Sequence, residues 1–158
     1  MASTPQDFTS GLVLTDTMMD KLPQGIVGWA APVTASVGPT SGGTELDVIT
    51  AAAVTPAQTG RRWRLRFHCR GIQDTVTGDL FFLRIKEGST VLNETHFVTY
   101  TSPATINGVD FEAIVDSPST ASHTYKVTIQ RSTGTGTATV SATSTAPILF
   151  YVEDAGAA

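Results

Sequence analysis

Apolar residues recur at every second position through much of this chain, and the repeat is sharpest between residues 61 and 70. In RRWRLRFHCR, Trp63, Leu65, Phe67 and Cys69 alternate with Arg62, Arg64, Arg66, His68 and Arg70. A period of two is the pleat of a half-buried β-strand, so the stretch predicts a strand with one apolar and one basic side. HTYKVTIQR repeats the pattern through Tyr125, Val127 and Ile129. In VDFEAIVD, Val109, Phe111, Ala113 and Val115 oppose Asp110, Glu112 and Asp116. LFFLRIK and VLNETHFVTY flank the turn residues EGST and predict a hairpin. IVGWAAPV, TELDVITAAAV, TATVSAT and PILFYV supply further strands, and STGTGT reads as a flexible turn. Asn107-Gly108 predicts a tight primed turn leading into VDFEAIVD.

The first 25 residues follow a different rule. MASTPQDFTSG is polar and predicts an extended arm, and LTDTMMDKL predicts a short helix with Thr15 as N-cap and Asp16 favourable to its dipole. Leu14, Met18 and Leu22 fall on one face of it, with Met19 beside them, and Pro23 and Gly25 end it. Two turns of helix do not persist alone in water, so this segment must dock on something. The chain therefore divides into an arm and helix over 1–25, a β body over 26–154 and a loose tail over 155–158. Eight or nine strands without intervening long helices predict an all-β, antiparallel two-sheet sandwich, and that strand number suits a jelly roll. An immunoglobulin-like sandwich is the runner-up, with fewer strands and a cysteine pair that this chain lacks. The predicted core is Trp63, Leu65, Phe67, Phe81, Leu83, Ile85, Phe111, Tyr125, Val127 and Ile129.

Composition narrows the function more than the fold. The 158 residues suffice for one domain with a real core, and only 15% of them are charged. The formal charge of −4 argues against general nucleic-acid binding, which needs a basic surface. Cys69 is alone, so no disulfide framework exists, and its place on an apolar strand face predicts an inert core thiol. MASTPQDFTS has neither the basic start nor the apolar stretch of a secretory leader, and no apolar run is long enough to span a bilayer. The expected route is synthesis in a cytoplasm with exit by lysis, and the Asn93-Glu94-Thr95 sequon is then not used.

Candidate chemistry is sparse. GTGTAT lacks the third glycine and the lysine of nucleotide loops. His68, His96 and His123 show no ligand spacing, so no metal or other cofactor is expected. Asp110 and Glu112 share a strand face about 7 Å apart, as paired carboxylates of glycosidases do, but no aromatic sugar platform accompanies them. No enzyme is predicted. The row Arg62, Arg64, Arg66, His68 and Arg70 remains the candidate binding face, with three readings. It is a solvated strand face, or it pairs with the acids of VDFEAIVDS within or between subunits, or it binds an anionic ligand such as an acidic glycan. Trp29, a conceivable sugar platform, is assigned to the core.

The stretches LTDTMMDKLPQGIVGWA, GRRWRLRFHCR, LFFLRIKEGSTVL, SHTYKVTIQR with its GTGT turn, and PILFYVEDAG together resemble small virion proteins of tailed bacteriophages infecting actinobacteria. The resemblance is one of order and phrasing over most of the chain, with no catalytic motif. It implies a minor tail or other virion-surface protein with a homotrimeric jelly-roll body, located on the particle and contacting other virion proteins. It also implies attachment through the segment holding Leu14, Met18, Met19 and Leu22. A capsid decoration protein and a carbohydrate- or cell-surface-binding module are the alternatives. No partner nucleic acid and no membrane insertion are expected.

Overall fold

The computed structural model describes residues 22–40, 43–51, 53–56, 58–98 and 104–158. Ten strands appear in it: β1 (Gly25–Trp29), β2 (Val37–Thr40), β3 (Glu45–Thr50), β4 (Arg61–Asp74), β5 (Leu80–Glu87), β6 (Thr90–Val98), β7 (Ala104–Asp116), β8 (Tyr125–Thr133), β9 (Ala138–Ser141) and β10 (Leu149–Ala157). They form two antiparallel sheets, as an all-β sandwich requires. The predicted helix, with Leu14, Met18 and Met19, lies outside the described residues.

The four-stranded sheet has the order β3-β8-β5-β6, with β5 and β6 forming the hairpin expected around Gly88. The six-stranded sheet is organised by β4, whose fourteen residues outreach any single partner on one side. β7 pairs with β4 from Arg62↔Asp116 to Asp74↔Ala104. Along the opposite edge β10 takes the first half of β4 and β9 the second. β1 and β2 then flank β10 and β9 in turn, with a Val33↔Ile148 bridge between them. Six strands thus occupy four strand lines.

The alternation of β4 explains how the sheets meet. Trp63, Leu65, Phe67 and Cys69 are at most 1% exposed and face Phe81, Leu83 and Ile85 of β5 and Tyr125, Val127 and Ile129 of β8, all fully buried. Each such side chain contributes about 1.5–3 kcal/mol through removal of apolar surface from water. Phe111, expected in this core, is only partly buried and packs against its margin. Burial pushes the Cys69 thiol up to about 11, which fits an inert packing role.

Arg61 falls on the inward side of the same alternation and is buried, so its charge needs a partner. Asp154 of β10 supplies it through two hydrogen bonds, Nε to Oδ2 at 2.9 Å and Nη2 to Oδ1 at 2.7 Å. The second nitrogen also donates to the carbonyl of Leu22 at 2.7 Å, tying the chain that enters β1 to the middle of the sheet. Asp154 accepts the Gly156 N–H as well, and the Ala158 N–H donates to the Gly60 carbonyl. The residues expected as a loose tail are therefore mostly strand: β10 runs to Ala157 because the β4 ladder offers it partners to Arg61.

The STGTGT turn is shaped by a buried carboxylate. Asp79, 2% exposed, accepts the Gly136 N–H at 2.5 Å, and a Cβ at Gly134 would sit 1.8 Å from its Oδ1. Gly134 is therefore required by contact as well as by its φ of 103°. Asn107-Gly108 does not make the predicted hairpin turn. Gly108 has φ of 62°, but β7 continues through it, because the far half of β4 presents free ladder positions to residues 104–107.

Arg61→Met leaves the Asp154 carboxylate buried without a counter-charge, and urea unfolding is expected to register a loss of about 3–5 kcal/mol. The double variant Arg61→Met/Asp154→Leu is expected to regain much of that loss; a double variant less stable than the single one would contradict the account.

Candidate interaction face

The outer face of the six-stranded sheet gathers the residues that the sequence singled out. Arg62, Arg64, Arg66, His68 and Arg70 point outward from β4, with Asp110, Glu112, Ile114 and Asp116 beside them on β7. Arg62 meets Asp116 at 2.5 Å, His68 Nδ1 meets Asp110 at 3.0 Å, and Arg64 Nε lies 3.7 Å from Glu112. The Asp116 carboxyl is held below its ordinary range by the Arg62 guanidinium. Arg66 turns the other way and stands over the Tyr151 ring at 5.8 Å. No ion pair or hydrogen bond to a described residue engages the Arg70 guanidinium. The reading in which the basic row meets the acids of β7 within one chain is thus realised for Arg62, Arg64 and His68.

Trp29 corrects the expectation that it belongs to the core. It is 62% exposed, and Ile26 is 63% exposed. The cause is local: a register shift between Ile26 and Gly28 puts Gly28 inward, where a Cβ would sit 2.1 Å from Val54 Cγ1. Trp29 is directly opposite Tyr151, Tyr151 opposite Arg66, and Arg66 opposite Glu112. These four side chains make a continuous row across the sheet. Two shallow hollows flank Tyr151. One, of about 350 Å³, is lined by Ile26, Trp29, Pro32, Leu149 and Tyr151. The other, of about 250 Å³, is lined by Arg66, His68, Asp110, Glu112 and Tyr151.

The outer face of the four-stranded sheet is different in kind. Glu45 accepts Lys86 Nζ and the Thr128 hydroxyl, both at 2.7 Å, and Arg84 at 3.3 Å. Burial alone would raise this carboxyl, but the three donors bring it down to about 2. Arg84 also pairs with Glu94 and covers the Phe82 ring at 4.8 Å, while Lys126 pairs with Asp47. That surface is a polar network, with Val91 exposed at its β6 margin.

The histidines do not gather. His68 is bound to Asp110, His96 to Glu94 and His123 to Glu87, and among the described residues no cluster with metal-ligand character exists. His123 has the spacing of a hydrolase triad, with Nδ1 2.5 Å from Glu87 and Nε2 3.2 Å from the Ser119 hydroxyl. Its Nε2 is also 2.9 Å from the Ser119 carbonyl, an acceptor only, so that nitrogen carries a proton and has no lone pair for the serine. Burial would lower the imidazole pKa, but Glu87 and the Ser119 carbonyl hold it above its ordinary value. We read the group as a charged clasp on the loop before β8. The signal was present in the sequence only as scattered letters, because Glu87 and His123 meet through the β5–β8 ladder.

No helix among the described residues is long and apolar enough to cross a membrane. The chain matches no known protein family and no curated protein.

Because the folded state raises the His123 pKa, its stabilising contribution is complete below the ordinary value of 6.5 and is lost as pH rises through the folded value. Thermal unfolding from about pH 6 to about pH 9 is expected to show a declining midpoint that Glu87→Gln flattens. Identical slopes in the two proteins would remove the clasp from the account.

Proposed function

We propose that this chain is a non-enzymatic structural protein on the surface of a tailed-phage particle, a minor tail protein with a trimeric jelly-roll body. The segment holding Leu14, Met18, Met19 and Leu22 attaches it to other virion proteins. The observation that carries this reading is the contrast between the two outer sheet faces. One is covered mainly by paired charges, with Val91 exposed at its β6 margin, whereas the other leaves Trp29 and Ile26 bare beside Tyr151 and Ile114 bare at its far edge. Large apolar side chains grouped on an outer face mark a surface that meets another molecule. The strand order supports the jelly roll. With β1–β2 and β9–β10 each taken as one line, the sheets read 1-8-3-6 and 2-7-4-5, the order that two interleaved Greek keys produce. The particle context comes from the resemblance over most of the chain, and assembly in a bacterial cytoplasm with release by lysis follows from it.

A second reading is favoured by one observation. Trp29 and Tyr151 stand side by side next to planar charged groups, the surroundings in which a sugar ring stacks and its hydroxyls are bound. On that reading the protein is a carbohydrate- or cell-surface-binding module of the tail. Capsid decoration differs from the first reading only in location.

Gold labelling of purified particles with an antibody to this chain is expected to mark the tail. Label on the head shell would replace the tail assignment with decoration, and particles that lack the chain would overturn the virion reading.

A further inference from the structure

We infer that the outer face of the six-stranded sheet is the surface through which copies of this chain pack on one another, with the β1 edge of one copy against the β7 edge of the next. This deepens the proposed function and rests on it for the existence of an assembly.

Size is the first argument. β4 has fourteen residues. At about 3.3 Å per residue, and with four strand lines about 4.8 Å apart, the face covers about 800 Å². That is about what one partner contributes to a stable protein–protein interface.

Charge selects the occupant. Four arginines (Arg62, Arg64, Arg66, Arg70) share the face with four carboxylates (Asp110, Glu112, Asp116, Glu153), so its formal charge cancels while His68 is neutral. The whole chain carries −4, so like copies repel over most of their surface and not here. The charges also lie in stripes. The basic stripe of β4 runs between the acidic stripe of β7 and Glu153 of β10, and a second copy displaced by one strand sets acids over bases. An anionic ligand finds no net attraction on such a face.

Shape gives the arrangement. The apolar hollow of about 350 Å³ lies at the β1 side, between Trp29, Ile26, Pro32 and Leu149. Its lining is aliphatic and aromatic, which suits a protein side chain better than a sugar hydroxyl. At the opposite edge of the same sheet Ile114 of β7 protrudes, 45% exposed, among charged neighbours. Hollow and projection occupy different edges of one face, so they can meet reciprocally across a two-fold axis or head to tail around a closed ring, and the trimer of the proposed function takes the second arrangement. Three copies with this face turned to a common axis satisfy every hollow with a neighbour's Ile114.

The test is the mass of the full chain in solution, by light scattering over a dilution series, for the wild type and for Trp29→Glu, Ile114→Glu and Val91→Glu. All three positions are exposed, so each variant is expected to fold with the wild-type circular dichroism spectrum; Val91 lies on β6, away from the face. The inference expects a wild-type trimer, dissociation at least about tenfold easier for Trp29→Glu and Ile114→Glu, and no change for Val91→Glu. A wild-type trimer that all three variants preserve overturns the face assignment while leaving the assembled reading standing. A wild-type monomer overturns the inference, and a monomer whose Trp29 fluorescence shifts with added oligosaccharide gives the face to a glycan instead. None of these outcomes bears on whether the chain is in the particle, which the labelling experiment decides separately.

Discussion

The two-residue repeat of β4 is the constraint on which the other features hang. A pleated strand cannot choose its faces residue by residue, so once Trp63, Leu65 and Phe67 are committed to the core, every intervening side chain is committed to the outside. The arginines then stand in one row at the centre of a sheet, where like charges repel unless neighbouring strands supply acids. β7 supplies them at Asp110, Glu112 and Asp116, and β10 adds Glu153. The same phase puts Arg61 inside, where only a matched, doubly hydrogen-bonded carboxylate makes its burial tolerable.

The division between the sheets follows from this. The four-stranded sheet exposes side chains that satisfy one another, with Glu45 serving three donors at once. The six-stranded sheet also neutralises its charges, yet it keeps an apolar flank that nothing in the described chain covers. A sandwich has only two outer faces, and here one is covered mainly by paired charges while the other carries an apolar flank.

The class of fold was legible in the sequence because period-two burial is a local signal with a single physical cause. Nine of the ten residues expected in the core are buried, and the strands centred on RRWRLRFHCR, LFFLRIK and HTYKVTIQR lie where their alternation puts them. The pairing of the arginines with β7 was legible as one option among three, since opposite charges in two strands fix neither register nor adjacency. Trp29 was misplaced because its exposure depends on a one-residue shift that gives Gly28 the inward position. Asn107-Gly108 carries a strong turn signal, but tertiary pairing with β4 outweighs it. The tail, rich in alanine and glycine, has no apolar repeat to announce a strand. Its order comes from Asp154, whose partner lies 93 residues away.

The central position of β10 has a consequence for how the protein is made. Residues 149–157 lie between residues 25–29 and residues 61–68, so a strand synthesised late separates two synthesised much earlier. On a ribosome the early strands emerge without the neighbour that joins them, and their exposed edges must wait for it. Such non-local closure is slow, and it leaves unpaired ladders open to the wrong partner in the meantime. A nascent chain of this design completes its six-stranded sheet only after β10 has left the exit tunnel, which makes the time before that emergence the interval in which misassociation is most dangerous.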